Sequence, residues 1–166
     1  QYKVEHYQET VSDGTYDLAY TDTPNGTTGE NAAYTPKTYE GFTYESTLTN
    51  INGIPQTSGN IAGNGSTVVK LYYNRNEITV TFNPNGGNIG GNTGDVTRKD
   101  KFGKPLTAPN AERPGYTFSG WSPALLSPPT FPANNTTYMA QWTAGEVSYK
   151  VEHYQQNIDD DNYTIV

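Results

Sequence analysis

The sequence predicts a predominantly β protein of the α+β class, built as two small modules in tandem and followed by the first hairpin of a third. Three observations predict it. The heptad Tyr2-Lys3-Val4-Glu5-His6-Tyr7-Gln8 returns unchanged as Tyr149-Lys150-Val151-Glu152-His153-Tyr154-Gln155, offset by 147 residues, and the same offset pairs Val11 with Ile158, Asp13 with Asp160, Tyr16 with Tyr163 and Leu18 with Ile165. Self-similarity at a fixed period is the signature of a repeat array. Apolar residues alternate with polar ones at a period of two, as half-buried strands require. Finally, 17 Gly and 11 Pro break the chain often, and within residues 21–36 only Glu30 to Tyr34 leaves room for a short helix. The boundaries that follow are 1–76, 77–147 and 148–166. The last segment restarts the first module without its core, so it is expected to dock on the preceding module or on a neighbouring chain.

Taken in order, residues 2–8 and 15–20 read as an antiparallel hairpin around Ser12-Asp13-Gly14, with Tyr16, Leu18 and Tyr20 alternating against polar neighbours. Gly41 to Tyr44 gives a brief strand. Asn52-Gly53 and Asn64-Gly65 are turn pairs, because both residues tolerate the positive φ of a type I′ turn. Thr67 to Tyr73 is apolar on both faces and reads as the central strand of the first module. Asn74-Arg75-Asn76 reads as a short polar joint. Beyond it Ile78, Val80 and Phe82 alternate with threonines, and a glycine- and asparagine-rich loop runs from Asn83 to Gly94. A weaker strand covers Val96 to Lys101, while Pro109 and Pro114 keep helix out of the middle. Gly115 to Trp121 and Thr137 to Trp142 close the second module, Tyr138, Ala140 and Trp142 sharing a face, and residues 143–147 form the joint to the next unit. Each module has about 70 residues, near the lower limit at which a core sustains itself.

Composition narrows the functional classes. Apolar residues make up 33% of the chain, below the roughly 45–50% of ordinary globular proteins. The 14 Tyr, 5 Phe and 2 Trp compensate, each ring burying about 150–250 Å². Net charge is −7, with four Lys/Arg against eight Asp/Glu in residues 1–76 and five against five in residues 77–147. No basic stripe is present, so nucleic acid is not an expected partner. Cysteine is absent, which removes disulfides, thiolate metal ligation and thiol catalysis and suits a secreted protein that folds without an oxidising compartment. No apolar run approaches the length that inserts into a membrane.

Two stretches carry family resemblances. Val80-Thr81-Phe82-Asn83-Pro84-Asn85-Gly86-Gly87, Pro109, Arg113-Pro114-Gly115-Tyr116-Thr117-Phe118-Ser119-Gly120-Trp121 and Tyr138-Met139-Ala140-Gln141-Trp142 together resemble the internalin B-repeat, or Listeria–Bacteroides repeat, over residues 77–143. The departure from that pattern, at Ala124 to Pro129, falls in a loop. Residues 1–76 more loosely resemble the MucBP (mucin-binding) repeat, through Tyr2 to Tyr7, Asp13-Gly14, Gly29, Gly41-Phe42, Ile61 and Val69 to Tyr73, and this pattern restarts at 148. Both resemblances imply β-grasp-like modules on bacterial secreted and cell-wall proteins. They imply a non-enzymatic, extracellular repeat segment of a cell-surface adhesin at the cell wall or cell surface, acting as a stalk or spacer whose partners are adjacent repeats. The alternative is a module that itself binds mucin glycans or a host surface protein.

Residues that invite a chemical reading mostly have a plainer one. His6 and His153 occupy one position in successive units, and no nucleophile or orienting partner accompanies them, so they are expected to pack on an edge strand beside Tyr16 or Tyr20. Asp159-Asp160-Asp161-Asn162 lacks the distal glutamate and fixed glycine of a calcium loop and reads as a hairpin turn. Gly86-Gly87, Gly90-Gly91 and Gly94 lead into no helix and have no following Lys-Ser/Thr pair, so they form a β–β connection and not a phosphate cradle. Exposed tyrosines are the residues suited to sugars or protein partners. No catalytic, metal or cofactor residues are assigned, and no cofactor is expected. Lys3 and Lys70, on strands, are the candidates for an isopeptide bond to a carboxylate or amide, but an ordinary exposed lysine is the expectation for each. Intact-mass measurement should therefore return the sequence mass, with no loss of one water or one ammonia.

Overall fold

The computed structural model describes residues 1–165. Alternating burial generates a first sheet from β1 (Lys3–Glu9), β2 (Tyr16–Asp22), β3 (Phe42–Tyr44), β4 (Asn50–Ile51), β5 (Ile54–Pro55) and β6 (Val68–Arg75). Strand order is β2-β1-β6-β4-β5, with β3 also on β6. β1 and β2 are antiparallel around the expected turn, with a register shift between His6 and Tyr7. Asn52 and Gly53 both take positive φ, 52° and 78°, and fold β4 onto β5. β6 is central, as its sequence predicts, and lies parallel to β1 from Lys3↔Val68 to Gln8↔Tyr73. Tyr2, Val4, Ala32, Ile51, Ile61, Val69, Leu71 and Tyr73 form its core, walled by Tyr34, Tyr39, Phe42 and Tyr44.

A core built from tyrosines needs partners for their hydroxyls, since an unpaired buried polar group is costly, and among the described residues Tyr39 Oη is the one tyrosine oxygen buried without one. Tyr2 donates to the Ala33 carbonyl and Tyr44 pairs with Thr49 Oγ1. Tyr73 Oη accepts from the Lys37 N–H at 2.9 Å and lies 2.7 Å from His6 Nδ1, while His6 Nε2 lies 3.0 Å from Asp22. These contacts assign one neutral tautomer, in which Tyr73 donates to Nδ1 and Nε2–H donates to the carboxylate. Burial pushes the His6 pKa below its ordinary 6.5, against the opposing pull of Asp22, and pushes the Tyr73 phenol up to about 12. The expected edge position of His6 is corrected: β1 has strands on both sides, the ring is 0% exposed, and its partner Tyr73 is 67 residues away.

The second sheet comprises β7 (Glu77–Asn83), β8 (Val96–Lys101), β9 (Tyr116–Ser122) and β10 (Thr136–Ala144), in the order β8-β7-β10-β9. It follows the plan of the first: a hairpin whose leading strand lies parallel to the last long strand. Ile78, Val80, Phe82, Leu106, Ala111, Trp121, Phe131, Tyr138 and Ala140 form its core. Leu106, Ala111 and Phe131 come from the proline-bearing loops, so loops cover the face of the sheet. Predominantly β is the observed class. The helical contribution among the described residues is one 3-10 turn, Ser46–Leu48, and the stretch open to a short helix instead makes a bridge, Asn31↔Asn60. Among the described residues no helix is long and apolar enough to cross a membrane.

Two expectations are corrected. The polar joint at Asn74 to Asn76 shrinks to one residue, Asn76, because β6 runs through Arg75 and β7 begins at Glu77. The final hairpin, β11 (Tyr154–Gln156) and β12 (Tyr163–Ile165), does not dock on the preceding sheet: from 146 to 165 every residue except half-buried Asn157 is exposed.

The histidine network yields a pH prediction. A His whose folded pKa lies below its unfolded value contributes fully above pH 6.5, and the contribution declines as pH falls from there through the folded pKa. The resistance of the first sheet to urea should decline as pH falls below 6.5. The second sheet contains no histidine and should hold level over that range. Tyr73→Phe, which strands both the Lys37 N–H and His6 Nδ1, should cost the first sheet about 1–3 kcal/mol.

Candidate functional site: the junction between the sheets

Parallel pairing of β1 with β6 brings Glu9, at the end of one strand, beside Arg75, at the end of the other. The Glu9 carboxylate is only 3% exposed and accepts from the Arg75 N–H at 2.9 Å, the Gly14 N–H at 3.2 Å and Lys101 Nζ at 2.7 Å. Lys101 ends β8, so this last bond crosses from the first sheet to the second. Asp13, in the β1–β2 turn, extends the crossing to Lys101 at 3.2 Å and to Lys104 at 2.8 Å. Burial would raise the Glu9 pKa, but Lys101 and the two backbone N–H groups outweigh it and hold the carboxyl below its ordinary 4.5. The same bond holds Lys101 above its ordinary 10.5.

Arg75 ties the sheets a second time. Its Nε donates to the Glu9 carbonyl at 2.9 Å and its Nη1 to the Phe102 carbonyl at 2.7 Å. The guanidinium lies 5.2 Å from the centroid of Phe42 and 5.7 Å from that of Phe102, and the two rings meet edge to face at 5.6 Å. Such a cation–π contact contributes about 0.5–2 kcal/mol, more as water is excluded. Asn76 is bonded from both sides: its N–H donates to Gly41 O, its carbonyl accepts from the Phe102 N–H, and its side chain accepts from Thr43. A Cβ at Gly41 would overlap the Phe102 ring, and one at Gly103 would overlap the Arg75 guanidinium; both glycines have positive φ, 77° and 76°. Close approach of the sheets requires glycine at both positions.

The residues weighed from the sequence do not gather into a reactive site. His6 is sealed in the first core and His153 is exposed, so the two histidines have opposite surroundings. Asp160 accepts from the Asn162 N–H and from Asn157, which makes the Asp159 to Asn162 run a turn. The glycine-rich loop connects β7 to β8, and its Asn88 bridges to Glu112 in the segment before β9. Lys3 is exposed, and Lys70 lies 3.9 Å from Glu5 and over the Tyr7 ring. Tyrosines do form a patch on the outer face of the first sheet: Tyr7 stacks on Tyr72 at 5.3 Å, and Tyr16 meets Tyr72 edge-on at 5.1 Å. The sequence marks Asp13 only as a turn residue and Arg75 only as part of a polar joint, and it gives Glu9, Lys101, Phe102 and Lys104 no role. The signal available was the acidic excess of residues 1–76 set against the basic group Arg98, Lys99, Lys101 and Lys104.

Two sheets on one plan, joined through a single residue and clamped by buried charge, define a β-rich repeat segment. Residues 79–141, which span the second sheet from β7 into β10, match the family model of the Listeria-Bacteroides repeat domain, a repeat typical of bacterial surface proteins. The match does not extend over the first sheet. No curated protein matches the chain.

Glu9→Gln keeps the shape but removes the charge from the crossing bond, and should cost about 1.5–3 kcal/mol in denaturant unfolding. A carboxylate with a depressed folded pKa contributes above its unfolded 4.5 and loses that contribution as pH falls through the folded value; Lys101, raised, loses its own as pH climbs through its folded value above 10.5. The junction should thus hold from about pH 5 to 10 and loosen at either end, with Glu9→Gln lacking the acid arm. In NMR relaxation, Arg75→Ala should let the two sheets tumble with different correlation times, whereas the parent should show one.

Proposed function

We propose that the chain is a non-enzymatic segment of a bacterial cell-surface adhesin, a stalk that carries neighbouring repeats and a distal binding region away from the cell wall. The observation that carries this reading is the junction. A linker between independent domains is usually exposed and makes few contacts, whereas here one residue connects the sheets and Glu9, Arg75 and Asn76 bond across it. Such a joint transmits orientation from one unit to the next, as a spacer requires. The repeat match supports a surface-protein setting, and the shared plan of the sheets supports two tandem β-grasp-like modules; a MucBP type for the first rests on the sequence resemblance alone. The His6–Asp22–Tyr73 group is a structural network in this reading, because a fully buried ring admits no substrate.

A second reading rests on the outer tyrosine patch of Tyr7, Tyr16 and Tyr72, with Lys70 and Asn50 beside it: the first module itself contacts mucin glycans or a host protein. A flat ring with a polar tip suits both. Mucin pull-down and a glycan array on the parent and on Tyr72→Ala test it, and retention lost only in the variant supports it. For the stalk, small-angle scattering on residues 1–144 should give an elongated particle whose maximum dimension is unchanged by ionic strength near neutral pH. A compact globule would remove the stalk reading.

A further inference from the structure

In an asparagine followed by glycine, the main-chain nitrogen of the glycine can attack the asparagine side chain, because no Cβ beside that nitrogen blocks the approach. The chain has four such pairs, Asn25-Gly26, Asn52-Gly53, Asn64-Gly65 and Asn85-Gly86. The fold holds three of them. Asn52 has a φ of 52°, its N–H donates to the Val68 carbonyl, and its Oδ1 accepts from the Val68 N–H at 2.8 Å. Asn64 Oδ1 accepts from the Ser66 N–H, and the Gly65 N–H, the group that would attack, donates to the Ala62 carbonyl. Asn85 has a φ of 47°, and its Nδ2, the group that would leave, donates to the Ala140 carbonyl at 2.9 Å.

Asn25-Gly26 is held by none of these devices. Among the described residues neither the Asn25 side chain nor the Gly26 N–H has a hydrogen-bond partner, and both residues are exposed. Asn25 lines an open cleft with Tyr2, Asp22, Pro24, Tyr34 and Lys37, so water reaches it. A Cβ at Gly26 would overlap Ile61 Cδ1 and crowd the Tyr2 ring. The first core therefore requires glycine at this position, and in requiring it retains the reactive pair.

We propose that Asn25 is a self-modification site, converted to aspartate and isoaspartate through a succinimide with water as the co-reactant, and that isoaspartate there loosens the first core. Hydroxide removes the Gly26 N–H proton, and the nitrogen attacks Asn25 Cγ. The Cγ–Nδ2 bond breaks, and Nδ2 leaves as ammonia after taking a proton from water, which restores the hydroxide. A second water opens the ring. Opening at Cγ gives aspartate on an ordinary main chain. Opening at the main-chain carbonyl carbon gives isoaspartate, whose main chain runs through Cβ and Cγ and is longer by one carbon. That carbon falls between the Pro24 carbonyl, which accepts from the Tyr2 N–H at 3.2 Å, and Gly26, which packs on Ile61 and the Tyr2 ring. The site is independent of any stalk role.

The test is peptide mapping by mass spectrometry on the full chain incubated at mildly alkaline pH, folded and, in parallel, unfolded in urea. In the folded chain, conversion of amide to acid at Asn25 should outrun that at Asn52, Asn64 and Asn85 by roughly tenfold or more, because those three must first open locally. In urea the four pairs should convert at similar rates, since they are the same two residues with the protection removed. Conversion in the folded chain that is led by another pair, or equal at all four, overturns the proposal. A preference for Asn25 of the same size in urea also overturns it, since local sequence would then be the cause. Chains bearing isoaspartate at position 25 should lose the first sheet at lower urea than Asn25→Asp, which carries the same charge on an ordinary main chain. Equal resistance overturns the coupling to the core.

Discussion

Parallel pairing between β1 and β6 is the contact on which the rest of the molecule depends. It joins residues some 65 positions apart in sequence, so its loop-closure entropy is paid before any packing is gained. Once formed, it puts Tyr2, Val4 and His6 against Val69, Leu71 and Tyr73 and closes the first core. It also sets the ends of the two strands level, so that the Glu9 carboxylate meets the Arg75 backbone N–H. Core and junction are therefore products of one register. A slip by one residue would turn Val4 and His6 outward and remove Glu9 from the crossing.

The junction works because it desolvates charge only where partners are complete. Glu9 gives up nearly all contact with water, yet its two oxygens receive three donors, two of them backbone groups fixed by the fold. Buried ion pairs offset their desolvation only under such conditions. Outside this buried centre, Asp13 and Lys104 form a more exposed pair that adds little energy by itself. Their contribution is to direction: they extend the crossing to the β1–β2 turn and so oppose rotation about Asn76. The aromatic side of the joint, Phe42 with Phe102 and the Arg75 guanidinium, opposes it from another face.

Much of the fold was legible because it is written in short-range patterns. Alternation and apolar runs located the longer strands of both sheets, the central place of β6 followed from its apolar residues, and the turns fell at Asp13-Gly14 and Asn52-Gly53, while the two-residue strands β4 and β5 are too short to show a pattern. His6 was misplaced for a specific reason. Period-two patterning says which face a side chain occupies, but not whether a strand has one neighbour or two, and β1 gains its second neighbour from across the whole first sheet. The junction was illegible on the same ground. Glu9 and Lys101 are ordinary strand residues 92 positions apart, and nothing local marks either as buried or paired.

The repeated heptad separates the two kinds of information within one molecule. At residues 154–165 the sequence by itself determines the turn, the pairing register and the Tyr154–Glu152 bond, since all of these form between residues close in the chain and are the same with or without a surrounding sheet. Tertiary structure alone decides the rest. Tyr2, Val4 and His6 are buried and Lys3 to His6 are strand, while the identical Tyr149, Val151 and His153 are exposed and outside any strand. The physical reason is that Tyr2 to His6 are held between β6 and the far end of β2, and local sequence can present a strand edge but cannot provide the strands that cover it.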